Sequence, residues 1–263
     1  MKYNFYHIIK FSLIIFCFSV LLTEEIYKSK QYESIISNIS QKIIKKWQYS
    51  PIEVDDIYSI LVYENFMDKI DYERKYFLRS DIYSFDKWRD KLDDLIYEYD
   101  SDFFNLFINK WIERLTEIKI YINNVQLENI DFDKNEFIEI NVDKRDYFES
   151  KELLLDEWRK RFKLQILRKY WNLSEADSTI DNSAFNGTFN SDILNKAFEK
   201  EVKNTNRRFD RLISQDRNEL FSVFINSFTN TYDPHTSYFM PERKEDFDIN
   251  ISGRLEGIGA RLR

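Results

Sequence analysis

The sequence predicts an all-α protein, and three observations support this prediction. The chain of 263 residues contains only 4 glycines and 3 prolines, whereas an average chain has about 7% glycine. Hydrophobic residues make up 43% of the chain and aromatic residues 17%, which is enough to form a core. Over most of the chain, apolar residues recur at steps of three and four, as they do on one helix face. Glycine-rich phosphate loops, doubly wound nucleotide-binding folds and turn-dense β-sandwiches are therefore excluded outside the last dozen residues.

The first 22 residues predict a secretory signal peptide or an N-terminal membrane anchor. Lys2 and Lys10 are their only charged residues, and residues 11–22 (FSLIIFCFSVLL) carry no charge. As a helix, this apolar run would reach about 18 Å, which is short of the roughly 30 Å hydrocarbon core of a bilayer. A basic start before a short apolar run is typical of an export signal, although no small-residue cleavage site follows it. We therefore expect export, with an uncleaved anchor as the alternative.

Charge and cysteine content exclude several kinds of partner. The formal net charge is −7, and acidic residues are interleaved with basic ones, which indicates solvated helix surfaces. We therefore expect no nucleic-acid partner. The single cysteine, Cys17, lies in the apolar run, so neither an intrachain disulfide nor a thiolate metal site is expected. We also expect no cofactor.

Four amphipathic helices are predicted in the first half of the chain. The first covers residues 32–48, with Ile35 and Ile39 on its apolar face. The second covers residues 53–67, and its predicted buried face consists of Val54, Ile57 and Leu61. The third is predicted from Asp81, as N-cap, to Tyr99, and the fourth from about residue 100 to residue 118. Consecutive helices of this kind indicate a bundle with short connections.

The second half contains three further predicted helices and two irregular stretches. Residues 121–147 lose the helical period and are predicted as a loop or an irregular extended stretch. Residues 171–190 are polar and are predicted as a loop. Between them a helix starts near Ser150, and its apolar residues follow at steps of four: Trp158, Phe162, Ile166 and Tyr170. A short helix is predicted over residues 191–203. The last begins at a capping box of Asp216 and Glu219, and its buried residues are Leu220, Phe224 and Phe228.

The pattern changes after residue 230. Asp233 followed by Pro234 ends the last helix. Residues 247–251 (FDINI) alternate like a strand, and three glycines follow within residues 253–259. These residues predict the start of a β-containing unit that is too short to bury a core, so we expect the chain to be a fragment.

Two sets of polar residues suggest sites, and each has a simpler interpretation. Asp131, Asp133 and Asn135 resemble the start of a calcium loop. The required glycine and bidentate glutamate are missing, so solvated carboxylates are favoured over a metal site. His235 has the side chain of a general base or a metal ligand, but a histidine hydrogen-bonded to backbone at a domain junction is favoured. Its neighbours Thr236 and Ser237 are interpreted as caps rather than nucleophiles.

The last glycines suggest an anion site. Consecutive backbone N–H groups around Gly257, Ile258 and Gly259 can surround a peptide C-terminal carboxylate. A tight turn or bulge is the alternative. Five aromatic residues at helical spacing are interpreted as core rather than as a ligand cage: Trp88, Trp111, Trp158, Phe224 and Phe228.

Two stretches resemble the tail-specific (carboxy-terminal processing, Prc/Tsp-type) serine protease family. Residues 233–238 (DPHTSY), followed by residues 253–260 (GRLEGIGA), look like the junction before the PDZ domain of these enzymes. Residues 71–81 (DYERKYFLRSD) are similar to a segment of the family's helical N-terminal domain. The order and separation of these stretches also match, and the resemblance covers about residues 35–263.

The resemblance implies a periplasmic serine endopeptidase that recognises apolar protein C-termini through its PDZ domain and cuts with a Ser/Lys dyad. The substrate carboxylate would lie against Gly257, Ile258, Gly259 and Ala260. Residues 1–22 would be a signal or inner-membrane anchor, residues 23–232 the helical domain, and residues 233–263 the junction and an incomplete PDZ domain. The helical domain would serve as a platform for substrates and envelope adaptor proteins.

The same resemblance places the serine and lysine beyond Arg263. No catalytic or metal-binding residue is therefore assigned to this chain, and the chain alone is expected to be inactive. The alternative is a non-catalytic helical module, exported or anchored, that binds or scaffolds other envelope proteins.

Overall fold

The computed structural model describes residues 32–40, 42, 46, 53–98, 101–176 and 188–240. These residues form eight α-helices and contain no β-strand, which confirms the all-α prediction for this part of the chain. Residues 32–40 form α1. The other helices are α2 Asp56–Asp71, α3 Arg79–Asp86, α4 Leu92–Glu98, α5 Asp102–Asn123, α6 Lys151–Ala176, α7 Ser191–Ile213 and α8 Arg217–Tyr232. The predicted strand, the predicted PDZ start and the N-terminal apolar run lie outside the described residues.

The chain divides into two compact units. Unit 1 takes its described residues from Met1–Tyr63, Leu92–Ser101 and Asp216–Arg263. Unit 2 takes its described residues from Glu64–Lys91 and Asp102–Gln215.

Unit 1 has an aromatic core in which α8 packs on the first turns of α2. The Tyr58 hydroxyl donates a hydrogen bond of 2.6 Å to the Phe228 carbonyl, and the Tyr58 ring contacts the rings of Phe228 and Tyr232. The N-cap of α8 is Asp216, whose carboxylate accepts from the Asn218 amide. The predicted start of this helix is therefore confirmed, as is its buried stripe of Leu220, Phe224 and Phe228.

Unit 2 has a second aromatic core, centred on α5. The Phe107 ring lies 4.7 Å from the ring of Phe66 and 5.8 Å from that of Phe77. Trp111 and Trp158 are buried, as predicted for core aromatic residues. Trp88 is the exception, because it is only half-buried and lies outside this core.

The predicted buried faces of α1 and α2 were wrong. Ile35 is 50% exposed, whereas Glu33 is only 4% exposed. This face is inverted because Arg217 donates two hydrogen bonds to the Glu33 carboxylate. In α2, Ile57 is 69% exposed, and a largely aromatic face is buried instead: Tyr58, Val62, Tyr63, Phe66 and Met67.

The predicted helix from Asp81 to Tyr99 is two helices, α3 and α4. The N-cap of α3 is Leu78, and Asp81 is the third helical residue, whose carboxylate accepts from the Leu78 amide at 3.0 Å. The chain turns after Asp86 because the first turn of α4 is bound to α2. There the Asp93 amide donates a hydrogen bond to the Ser59 hydroxyl.

Four helices end later than predicted, among them α2 at Asp71 instead of residue 67 and α5 at Asn123 instead of residue 118. Helix α6 continues to Ala176, into the predicted polar loop, and α7 ends at Ile213 instead of residue 203. In α7, buried Thr205 and Phe209 continue the inner face through a stretch that is otherwise polar. The irregular stretch predicted over residues 121–147 begins only after α5 ends at Asn123. Residues 124–150 lack α-helix and contain two short 3₁₀ turns, Leu127–Asn129 and Val142–Lys144.

Candidate functional site

Unit 2 contains a cavity of about 400 Å³ along one face of α6. Helix α6 lines it with Trp158, Arg161, Phe162, Gln165 and Arg168. Each of these residues has another of them three residues away, so they share a face of the helix. An apolar stripe with charged residues at its edge thus forms one wall of the cavity.

Helix α7 forms a second wall with Glu201, Thr205 and Arg208. Its position against α6 is fixed by two ring contacts, Trp158 with Phe209 at 5.2 Å and Phe162 with Phe198 at 5.9 Å. The Glu201 carboxylate is buried and accepts a hydrogen bond of 3.1 Å from the Thr205 hydroxyl.

The third wall is the irregular segment that contains Ile138 and Ile140, both of which line the cavity. Its start is held by Glu136, which forms ion pairs with Arg159 and Lys163 of α6. The hydrogen bonds from Arg159, which outweigh the effect of burial, lower the pKa of Glu136 to about 2. The Arg145 guanidinium also donates to the Glu139 carbonyl at 2.8 Å, which holds the segment between Ile138 and Ile140.

The fourth wall is the turn after α2, which lies in the stretch that resembles the tail-specific protease family. The Asp71 carboxylate accepts three backbone hydrogen bonds, from the amides of Lys75, Tyr76 and Phe77. Burial raises the pKa of Asp71 to about 6, against the opposing effect of these hydrogen bonds. Asp71 therefore shapes a tight turn that places Glu73 and Lys75 at the cavity.

Arg74 completes this turn with a left-handed backbone conformation. Its φ angle is 48°, which is uncommon for a residue other than glycine. The Arg74 amide donates to the Asp71 carbonyl at 2.8 Å, and its guanidinium donates to the Arg145 carbonyl. The turn and the third wall are thereby connected.

The other end of the same stretch is fixed by a buried ion pair. Asp81 accepts two hydrogen bonds from the guanidinium of Arg114 on α5, at 2.6 and 2.9 Å. The hydrogen bond to Asp81 raises the pKa of Arg114. Both aspartates of residues 71–81 therefore have structural roles, and neither lines the cavity.

The cavity is cationic in an acidic chain. It is lined by two carboxylates, Glu73 and Glu201, and by five cations, which gives a net charge of +3: Lys75, Arg145, Arg161, Arg168 and Arg208.

Several of these charges are compensated locally. Glu73 binds Lys75 and Arg161, both at 2.7 Å. Burial tends to raise the pKa of Glu73, but these hydrogen bonds outweigh it and lower the pKa to about 2. Arg145 and Arg161 both bind Glu157, at 3.3 and 2.9 Å.

Two arginines at the cavity differ from the others. Within the described ranges, neither Arg168 nor Arg208 forms an ion pair. The Arg208 guanidinium lies 5.5 Å from the centroid of the Trp158 ring, which favours a cation over an aromatic face. The apolar wall and these two cations suit a ligand that has both apolar and anionic groups.

The residues that suggested a calcium loop are used in a local turn. The Asp131 carboxylate accepts from the amides of Asp133 and Lys134, at 3.0 and 3.1 Å. In the part of the chain that the structure describes, no cluster of three or more His, Cys, Asp or Glu side chains is arranged to hold a metal ion.

His235 lies in unit 1 and is exposed. Its amide donates to the Asp233 carboxylate at 3.0 Å, and the Thr236 hydroxyl donates to the same carboxylate at 2.9 Å. Thr236 therefore has the local structural role predicted for it. The Ser237 hydroxyl accepts from Asn230 at 3.4 Å.

The residues after α8 fold back along that helix. The Asn226 side chain donates to the Tyr238 carbonyl at 2.9 Å and accepts from the Tyr238 amide at 2.7 Å. One turn later, Asn230 donates to the Thr236 carbonyl at 2.9 Å. The junction motif thus forms a return segment against α8.

The predicted carboxylate site of Gly257, Ile258, Gly259 and Ala260 lies outside the described residues, as do residues 1–22. Among the helices that are described, none has the length and apolar character needed to cross a bilayer.

Sequence reasoning missed the cavity. The interleaved charges of α6 and α7 were interpreted as solvated surface, and Trp158 as core. Trp158 is indeed buried, but it also lines the cavity. The sequence feature that could have indicated a cavity is the position of Arg161 and Arg168 at the edge of the apolar stripe of α6.

Comparisons with known proteins agree with the resemblance of residues 71–81. The family model described as "Tail specific protease N-terminal domain" matches residues 39–242. A protein named "Tail-specific protease" from Haemophilus influenzae is 24% identical over 219 residues. The alignment covers 81% of this chain but only 28% of that relative. The chain therefore belongs to the tail-specific protease family, of which it carries the N-terminal domain.

Proposed function

We propose that this chain is the N-terminal part of a periplasmic tail-specific serine endopeptidase that recognises apolar C-termini of protein substrates. The observation that carries this proposal is the match of the N-terminal domain family over residues 39–242. In this proposal the helical domain is the platform on which substrates and an envelope adaptor protein bind. Residues 1–22 direct export or anchor the protein in the inner membrane.

The proposed reaction is hydrolysis of a peptide bond within the substrate chain. A neutral, desolvated lysine takes the proton of a serine hydroxyl, and the serine oxygen attacks the carbonyl carbon. The lysine then gives the proton to the amide nitrogen, the peptide C–N bond breaks, and the new amino terminus leaves. Water hydrolyses the remaining acyl-enzyme ester and releases the serine. Backbone N–H donors stabilise the negative charge on the carbonyl oxygen. We assign no residue of this chain to these steps, and we expect the chain alone not to hydrolyse peptides.

The proposed substrate contact in this chain is the backbone of residues 257–260. Glycines at 257 and 259 allow consecutive N–H groups to converge on an anion, and a C-terminal carboxylate is such an anion. Apolar residues at the substrate terminus would add contacts beside this loop.

A peptidase assay of the full-length reading frame tests the proposal. Three forms of one protein substrate are compared: an apolar C-terminus, a charged C-terminus, and an apolar C-terminus blocked as an amide. We expect cleavage of the first form and at least tenfold slower cleavage of the other two. Equal cleavage of all three forms, or cleavage of none, would contradict the proposal.

A second function is a non-catalytic, exported helical module that binds other envelope proteins. The unit 2 cavity favours it, because this site combines an apolar wall with the cations Arg168 and Arg208, which are groups that can bind a ligand. Absence of hydrolysis by the full-length reading frame, together with binding of an envelope protein, would support this alternative.

A further inference from the structure

We propose that the unit 2 cavity binds an extended acidic segment of a partner protein, with two carboxylates about four residues apart and apolar residues between them. This inference rests on the proposed role of the helical domain as a platform for protein partners. It adds the place where a partner binds and the chemistry that is recognised.

The two arginines without ion pairs set the spacing of the carboxylates. Arg208 lies over the ring of Trp158, and Arg168 lies ten residues after Trp158 on the same face of α6. At about 1.5 Å per residue, Trp158 and Arg168 are separated by about 15 Å along the helix axis. An extended chain advances about 3.3 Å per residue, so four to five residues cover this distance.

The cavity surface between Arg168 and Arg208 favours a ligand that has apolar side chains between its two carboxylates. Trp158, Phe162 and Ile122 line the cavity but are almost completely buried, so they offer a ligand little apolar area. The apolar area that is open to a ligand comes from the third wall, where Ile138 is half-buried and Ile140 is 87% exposed. A ligand that covers this surface gains from removing apolar area from water, which a small inorganic anion would not do.

The third wall provides a backbone edge. Ile138 and Ile140 both line the cavity although they are two residues apart, as the side chains of an extended chain do. Within the described residues, the amides of Ile138 and Ile140, which point to the same edge of an extended chain, donate no hydrogen bond. An extended peptide can pair with such an edge by strand addition.

Exposed apolar side chains on the same segment point to a protein partner. Phe137 and Ile140 are each 87% exposed. Exposed apolar groups beside a polar rim are typical of protein interaction surfaces. A nucleic acid fits this surface poorly, because the chain as a whole carries a net charge of −7 and would repel a polyanion.

Calorimetric titration of the full 263-residue chain tests this inference. The probe is a peptide blocked at both ends, with two glutamates four positions apart and three apolar residues between them. The comparison peptide has glutamine in place of both glutamates. A third peptide has no glutamate, the same apolar residues and a free C-terminus.

Three variants assign the binding to the cavity. Arg168→Gln and Arg208→Gln each remove one proposed contact, and Arg207→Gln is the matched control, because Arg207 is exposed on α7 and does not line the cavity. We expect the blocked acidic peptide to bind the wild type, and each cavity variant to weaken it about tenfold. The control variant should bind as the wild type does, and added salt should weaken binding.

Several outcomes would overturn the inference. The first is that the glutamine peptide binds as tightly as the acidic peptide. The second is that the peptide with a free C-terminus binds more tightly than the acidic peptide. The third is that both cavity variants bind the acidic peptide as the wild type does.

All variants are compared with the wild type by circular dichroism and thermal midpoint. Because the substituted arginines are exposed, we expect both measurements to be unchanged. If peptide binding is absent while the full-length enzyme still cleaves apolar-tailed substrate selectively, this inference fails and the proposed function stands.

Discussion

Asp81 and Arg114 form a two-point ion pair inside unit 2. The Arg114 Nε–Asp81 Oδ2 distance is 2.6 Å and the Nη2–Oδ1 distance is 2.9 Å. Asp81 is 2% exposed and Arg114 is 7% exposed. Because Asp81 also accepts from the Leu78 amide, the pair fixes the first turn of α3 against α5.

Removal of this arginine should destabilise the protein strongly. In Arg114→Met the Asp81 carboxylate stays buried and loses both guanidinium hydrogen bonds, and only Lys110 remains as a cation, 3.8 Å away. The expected loss is about 3 kcal/mol of unfolding free energy. Urea unfolding, followed by circular dichroism, measures this loss. Arg89→Met is the control, because Arg89 pairs with Glu64 at the surface, and it should cost less than about 1 kcal/mol. Equal losses in the two variants would contradict the structural role of the buried pair.

Asp71 should make stability fall as the pH rises from about 4 to 6. Its pKa is raised from 3.8 to about 6 in the folded protein, mainly by burial, so the folded state binds a proton that the unfolded state has lost in this range. Asp71→Asn removes this titration. The unfolding free energy of the wild type minus that of Asp71→Asn should therefore decrease between pH 4 and pH 7, by up to about 3 kcal/mol. A difference that does not change with pH would show that Asp71 does not titrate in this way.

Glu136 should have the opposite pH dependence. Its pKa is lowered from 4.5 to about 2, first by the hydrogen bonds from Arg159, so its contribution is present above the unfolded pKa and is lost as the pH falls toward 2. Glu136→Gln should therefore differ most from the wild type near pH 6 and least near pH 2.5.

Two measurements check the role of Glu136. Unfolding free energies at several pH values give the sign, and amide exchange of residues 136–141 reports whether the third wall of the cavity loosens in the variant. Asp133→Asn is a suitable control, because Asp133 is an exposed acidic residue three positions before Glu136. Faster exchange in the control than in Glu136→Gln would argue against Glu136 as the anchor.

Asn226→Ala should release the segment that follows α8. The variant loses both hydrogen bonds between the Asn226 side chain and the backbone of Tyr238. The expected cost is about 1–2 kcal/mol, and limited proteolysis near residues 236–240 should become faster. Asn218→Ala, at the start of the same helix, serves as a comparison and should leave this cleavage rate unchanged.

The local spacing of apolar residues was sufficient to predict most of the helices. The four-residue steps from Trp158 to Tyr170 predicted α6, and the carboxylate of Asp216 predicted the start of α8, because both signals depend on neighbours within a few residues. The inverted face of α1 was not predictable in this way. Glu33 is buried by Arg217, a residue 184 positions away, and no local pattern contains that partner.

The cavity required the same long-range information. Trp158 has the spacing of a core residue, and its indole N–H donates to the Lys75 carbonyl, which comes from a turn far away in the sequence. Arg168 and Arg208 lie on different helices, and only the packing of α6 on α7 brings them to one cavity. Residues 71–81 identified the family, although their visible contacts are those of a structural turn.

Arg74, whose backbone is left-handed, connects this turn to the third wall of the cavity. The connection is the hydrogen bond that its guanidinium donates to the Arg145 carbonyl. A peptide that displaced residues 138–145 would have to break this contact or carry the turn with it. Amide resonances of residues 72–77 are therefore a built-in reporter of cavity occupancy, readable by NMR without any label at the cavity itself.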